Sequence, residues 1–169
     1  MAAPFKNLKF LYQNDGSMLE NKNLIHELSL TTYHWLSACG IKANKNFLKD
    51  ELTAHPDYPA LTSVVDLLEA GGMEYLAVRT SMEYASEFKY PLLAHIKKGT
   101  DEQGLVLVKN ENEWKDNNDL ANQWTGVLLM PEKDAVWNHA DNAAYIKDEQ
   151  NKKRLAVAAL VTLFAITVV

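Results

Sequence analysis

The last fifteen residues, Leu155 to Val169 (LAVAALVTLFAITVV), carry no charge, no proline and no glycine, and they follow Lys152, Lys153 and Arg154. A helix apolar all round must be buried in protein or lie in a membrane, so this run constrains the chain more than any other. A spanning helix needs roughly 20 apolar residues to cross a hydrocarbon core of about 30 Å. Fifteen residues at about 1.5 Å rise reach only about 22 Å. That length also suits a buried core helix, the competing reading. The cationic edge and the terminal position favour a transmembrane helix over 152–169. It is either a tail anchor borrowing length from its flank or the first span of a longer protein. The positive-inside rule then places the globular part in the cytoplasm, at a membrane. The leading MAAPFKNLKFLYQNDGS lacks the long apolar core of a signal peptide.

Without the tail and its approach about 130 residues remain, enough for one domain with its own core. The chain has 17 basic and 22 acidic residues, a formal net charge of −5. No Lys/Arg cluster stands outside the tail flank, which argues against a nucleic-acid partner. A single cysteine, Cys39, excludes an intrachain disulfide and suits a reducing compartment.

Residues 1–18 read as a loose leader with a turn at Asn14, Asp15 and Gly16. Leu24, Ile25, Leu28, Thr32, Trp35 and Leu36 then fall on one helical face, which Gly40 ends. A second helix is expected from Asn44 to Ala54, with Phe47, Leu48 and Leu52 inward. His55-Pro56-Asp57-Tyr58-Pro59 breaks it. A third, Ala60 to Ala70, ends at Gly71-Gly72 and places Leu61, Val65 and Leu68 inward. Strands follow at 74–79, 92–96, 105–108 and 124–130, with a short helix over 81–87 and a further strand around Trp114. Residues 132–151 read as a linker or a helical approach to the membrane. Helices first and an antiparallel sheet second make an α+β chain.

Catalytic chemistry finds little support in the residues. A cysteine nucleophile favours a helix N-terminus, where the dipole lowers its pKa, and a partner His. Cys39 lies at the opposite end of its helix, where the dipole raises it. Of His26, His34, His55, His95 and His139, only His26 and His34 share a helix, and their spacing is not that of a zinc-binding helix. Gly71 and Gly72 follow a helix rather than open one, so no phosphate loop is present. No metal and no cofactor is expected. The His55–Pro59 turn reads either as a rigid elbow, with Asp57 capping and Tyr58 packed, or as a recognition surface.

The order of LKDELTAHPDYPALTSVVDLLEA (48–70), Pro91-Leu-Leu-Ala-His95, Leu105-Val-Leu-Val108 and Trp124-Thr-Gly126-Val-Leu-Leu129 resembles a known family. It is similar to the papain-like domain of the bacteriocin-processing cysteine peptidases, which cut double-glycine leaders at the front of peptide-exporting ABC transporters. The resemblance covers roughly residues 20 to 130, giving a domain over 19–131. It is closest to the form fused ahead of a vitamin K epoxide reductase-like membrane domain. It implies a papain-like fold, helices packed on an antiparallel sheet, with an apolar membrane helix at the C-terminus.

The family's catalytic pair does not carry over. Its nucleophile is a Cys opening the first helix, which here opens around Asn23 to Glu27 without one. Its base is a His starting the strand that matches Gly104 to Val108, and Gly104 holds that place. His26 lies near the nucleophile's position, but an imidazole forms no thioester. The resemblance therefore implies a non-catalytic module that binds a peptide or protein partner through the cleft between helices and sheet. His55, Tyr58, His95 and Trp114 are its candidate peptide-binding residues, and a peptide exporter or a membrane oxidoreductase is a candidate partner. Two other functions compete: an active leader peptidase using Cys39 with His34 or His95, and the cytoplasmic front end of a membrane thiol–disulfide oxidoreductase whose paired cysteines lie downstream.

Overall fold

The computed structural model describes residues 18–85, 87–98, 102–115 and 118–167. Apart from Met18, the leader expected over 1–18 lies outside the described residues.

Three helices come first: α1 (Met18–Ala38), α2 (Lys45–Ala54) and α3 (Leu61–Ala70). They are followed by β1 (Tyr75–Arg79), α4 (Met82–Ala85), β2 (Leu92–Lys98), β3 (Glu102–Val108), α5 (Asn112–Lys115), α6 (Asn118–Gln123), β4 (Trp124–Pro131) and α7 (Ala140–Thr167). The strands form one antiparallel sheet in the order β1-β4-β2-β3. The chain is α+β.

Local chemistry sets the helix ends. α1 closes around Gly40, with the Ile41 N–H donating to the Leu36 carbonyl at 2.8 Å, a bond that satisfies an end carbonyl. α2 opens on Asn44, whose Oδ1 accepts from the N–H groups of Asn46 (2.9 Å) and Phe47 (3.1 Å). α3 has no side-chain cap, and Ser63 Oγ donates to the Ala60 carbonyl at 2.7 Å instead.

The sheet is covered on both faces. On its inner face Leu93, Leu105 and Leu129 pack against Trp35 and Leu36 of α1, Phe47, Leu48 and Leu52 of α2, and Val64 and Leu68 of α3. On its outer face Leu92, Ala94, Ile96, Val108, Leu128 and Met130 meet Ala85, Trp114 and Leu120 from α4, α5 and α6. Burial on both faces is why Leu92-Leu93-Ala94 and Leu128-Leu129-Met130 read as unbroken apolar runs. The strand expected around Trp114 is the helix α5. Asn110 Oδ1 accepts from the Asn112 N–H at 3.1 Å and Glu113 Oε2 from the Lys109 N–H at 2.8 Å, local bonds that start a turn rather than a strand.

The segment read as a linker, 132–151, packs on the helical layer. Trp137 is buried and its Nε1 donates to the Leu67 carbonyl at 3.2 Å. The Asn138 N–H donates to the Gly71 carbonyl at 2.8 Å. Phe47 meets the rings of Trp137, His139 and Tyr145. Buried Asn142 clamps α7 to the start of α2: its Oδ1 accepts from the Asn44 N–H at 2.7 Å, and its Nδ2 donates to the Lys42 carbonyl at 3.1 Å. Asn142→Ala leaves both backbone groups unsatisfied and should cost about 2 kcal/mol in denaturant unfolding. A cost under about 0.5 kcal/mol would show that α7 does not depend on this clamp.

The expected membrane helix is overturned. Among the described residues no helix is long and apolar enough to cross a membrane. The apolar run belongs to α7, which starts at Ala140, and its first half is polar. The cations that were to border a span are tied instead as i,i+4 pairs, Lys152 to Asp148 and Lys153 to Glu149, each at 2.6 Å. Extending the apolar stretch backward to a spanning length runs straight into them. With the span goes the ground for a membrane location and for a cytoplasmic side. The membrane tether is thereby withdrawn, and with it the membrane-helix part of the expected fold.

Candidate functional site

The His55–Pro59 turn is an elbow pinned by His55. The imidazole Nδ1 accepts from the Asp57 N–H at 3.1 Å, which places the ring proton on Nε2. Nε2 then donates to Asp66 of α3 at 3.0 Å and ties the end of α2 to α3. Asp57 serves through its backbone, its carbonyl accepting from the Ala60 N–H at 2.7 Å. Tyr58 is half-buried against the inner cluster. Burial first, and the charge of Glu27 second, push its hydroxyl up to about 12.

His95 lies on β2, on the inner face with Leu93 and opposite Leu105 of β3. Its Nδ1 meets Thr125 Oγ1 at 2.8 Å and its Nε2 meets Gln103 Oε1 at 3.3 Å. The Thr125 hydroxyl donates its one proton to the His95 carbonyl at 3.0 Å, so it accepts from Nδ1–H. Burial pulls the His95 pKa down, against a smaller opposing pull from Gln103. A ring held by Thr125 through Nδ1–H, with burial disfavouring its charged form, suits a structural or hydrogen-bonding role. The Trp124-Thr125-Gly126 motif builds this corner. Trp124 Nε1 donates to the Val127 carbonyl at 3.0 Å, Gly126 takes a left-handed φ of 84°, and β4 shifts register against β2 between Ala94 and Ile96.

Trp114 belongs to the other side of the sheet. It is buried in the outer cluster, its ring centroid 5.0 Å from that of Trp124, and it offers no surface for a peptide. Gly104, at the position the family gives its base, pairs with Ile96 and alternates with Leu105, so its empty Cβ direction faces the outer cluster rather than His95. His55 and Tyr58 therefore share an elbow, His95 stands apart on the sheet's inner face, and Trp114 faces away. Thr125 and Gln103, the residues that set the His95 imidazole, carry no signal in local sequence; the strand register brings them there.

Cys39 follows α1 directly and packs against the inner cluster. Burial pushes its thiol up to about 11. Thiolate is then a trace species near neutral pH. Alkylation by iodoacetamide should accelerate about tenfold per pH unit from about pH 7 to about pH 9. A plateau below about pH 8 would instead reveal an activated thiolate. Among the described residues no group of three or more His, Cys, Asp and Glu side chains stands close enough to hold a metal ion.

Comparison with protein-family models, with curated proteins and with solved structures finds no match to this chain.

Proposed function

We propose that this chain is a non-catalytic relative of the bacteriocin-processing peptidase domain, a module that binds a peptide or a protein segment without cutting it. The state of Cys39 carries the reading. The one thiol of the chain sits after the C-terminal end of α1, where burial keeps it protonated. Thiol catalysis needs a thiolate and a base that accepts its proton. The His95 imidazole is tied to Thr125 on the inner face of the sheet, and Gly104 has no side chain to offer. Helices packed on one face of an antiparallel sheet are what the resemblance implies for a peptide-holding domain.

The test is a synthetic peptide bearing a double-glycine leader, incubated with the protein and followed by mass spectrometry. The peptide should remain intact, with the same mass trace in the wild type and in Cys39→Ala. Cleavage after the glycine pair that disappears in Cys39→Ala would establish an active peptidase and overturn this reading.

A further inference from the structure

The first strand leaves an open edge. β1 ends the sheet order and pairs only with β4. Two backbone bonds fix which of its groups face β4: the Glu132 N–H donates to the Glu74 carbonyl at 3.1 Å and the Thr80 N–H donates to the Gly126 carbonyl at 2.8 Å. In an antiparallel ladder the bonded positions recur every second residue. Glu74, Leu76, Val78 and Thr80 therefore turn their N–H and C=O groups toward β4. Tyr75, Ala77 and Arg79 turn theirs outward, where no backbone partner meets them among the described residues.

The side chains along this edge are equally open. Leu76 is 40% exposed on the outer face, and on that side α4 exposes Met82 and Tyr84. Ala77 and Arg79 are exposed as well. Short strands, prolines, bulges and charges are the usual guards of such an edge, and here the guard is a short strand with Arg79 alone as its charge. The Tyr75 end is acidic: the Tyr75 hydroxyl donates to Glu69 of α3, Asp66 lies one turn before Glu69, and Glu74 and Glu132 face one another across the ladder. The bond to Glu69, then burial, then the charges of Glu69 and Asp66 push the Tyr75 hydroxyl up to about 12.

We infer that the β1 edge is a strand-addition site for an extended peptide with alternating apolar residues and a cationic residue beside Tyr75. Three outward donors and their carbonyls supply the main-chain ladder. Leu76 supplies an apolar contact on one face, and on the opposite face Glu69, bonded to the Tyr75 hydroxyl, with Asp66 one turn before it, complements the cation. A second copy of this chain is the poorer occupant, because each copy carries a net charge of −5. This inference rests on the peptide-binding reading and names where the peptide lies.

The probe is an octapeptide of alternating valine and lysine, titrated into the full chain while amide hydrogen exchange is read residue by residue by NMR. Binding should slow exchange at the Tyr75, Ala77 and Arg79 amides selectively. Ala77→Pro removes an outward N–H without touching a bond to β4, and should weaken binding by about tenfold. Ala77→Thr keeps the donor and should bind as the wild type does. An unchanged melting temperature separates the loss of a donor from loss of the fold.

Binding that leaves these three amides unprotected, or that Ala77→Pro does not weaken, overturns the site while peptide binding stands. Failure of both this probe and a double-glycine leader to bind overturns the site and the reading together. Amides already protected without peptide, in a protein that sediments as a dimer, would show the edge closed by a second copy and overturn the inference.

Discussion

Gly71→Ala is expected to destabilise the fold by about 3 kcal/mol or more, because a methyl group there would occupy the space of the Trp137 indole. Gly71 is buried at the end of α3, and Trp137 lies directly over it with its Nε1 bonded to the Leu67 carbonyl at 3.2 Å. The backbone at Gly71, φ −92° and ψ 5°, is open to alanine. The whole penalty is therefore steric. Expelling Trp137 forfeits its packing on Phe47 and strips the Leu67 carbonyl of its partner. Trp137→Ala alone should cost about 3–5 kcal/mol.

The two changes should not add. With the indole gone, the three atoms that a methyl at Gly71 would strike are removed, and alanine in a compatible backbone slightly favours the fold. Gly71→Ala in the Trp137→Ala background should then cost nothing within about 0.5 kcal/mol. Urea unfolding of the four proteins of this cycle measures the coupling. Simple addition of the two costs would mean that 132–139 does not pack over α3.

Leu68→Ala is the second large effect, at about 2–5 kcal/mol by denaturant unfolding. Leu68 is fully enclosed between α3, the neighbouring helices and the sheet. Leu61→Ala should cost less than half as much, since Leu61 is only partly buried at the margin of the same cluster. Equal costs would mean that the helix is turned differently about its axis.

The α3 face shows what local pattern can and cannot resolve. Leu61, Val65 and Leu68 satisfy helical spacing, and so do Val64, Leu67 and Leu68, the residues that are buried with Ser63. Period alone fixes that an apolar face exists. The elbow fixes its rotation, through the His55–Asp66 bond and the Ser63 bond to Ala60. α2, α3 and the four strands were legible because Asn44, Gly40 and the proline turn punctuate the helices, alternation marks β1, and short apolar runs between polar turns mark β2, β3 and β4. α5 was not, because a buried tryptophan reads as well in a strand as in a short helix.

The tail misled for a physical reason. Its apolarity is real, with Leu155, Val157 and Leu160 standing exposed. Its cations mark no membrane boundary, since Asp148 and Glu149 precede Lys152 and Lys153 by one helical turn. That spacing was present in the sequence and points to a helix that runs on through the cations from the polar segment before them. The bonds from Asn142 to the cap of α2 and from Tyr145 to Asp50 within it, about a hundred positions earlier, were not readable from the sequence. The candidate site was legible in its elbow and illegible elsewhere. Trp114 looked like a surface aromatic until the sheet was seen to have two covered faces. Which strand lies open depends on the order β1-β4-β2-β3, and no local pattern of β1 encodes it.

Binding without cleavage is tested most directly by fluorescence anisotropy of a labelled double-glycine leader peptide titrated with the full chain, its mass read at the end of the titration. Saturable binding of a peptide that keeps its full mass is the expected result. A flat titration, or a peptide shortened at its glycine pair, would contradict a non-catalytic binding module.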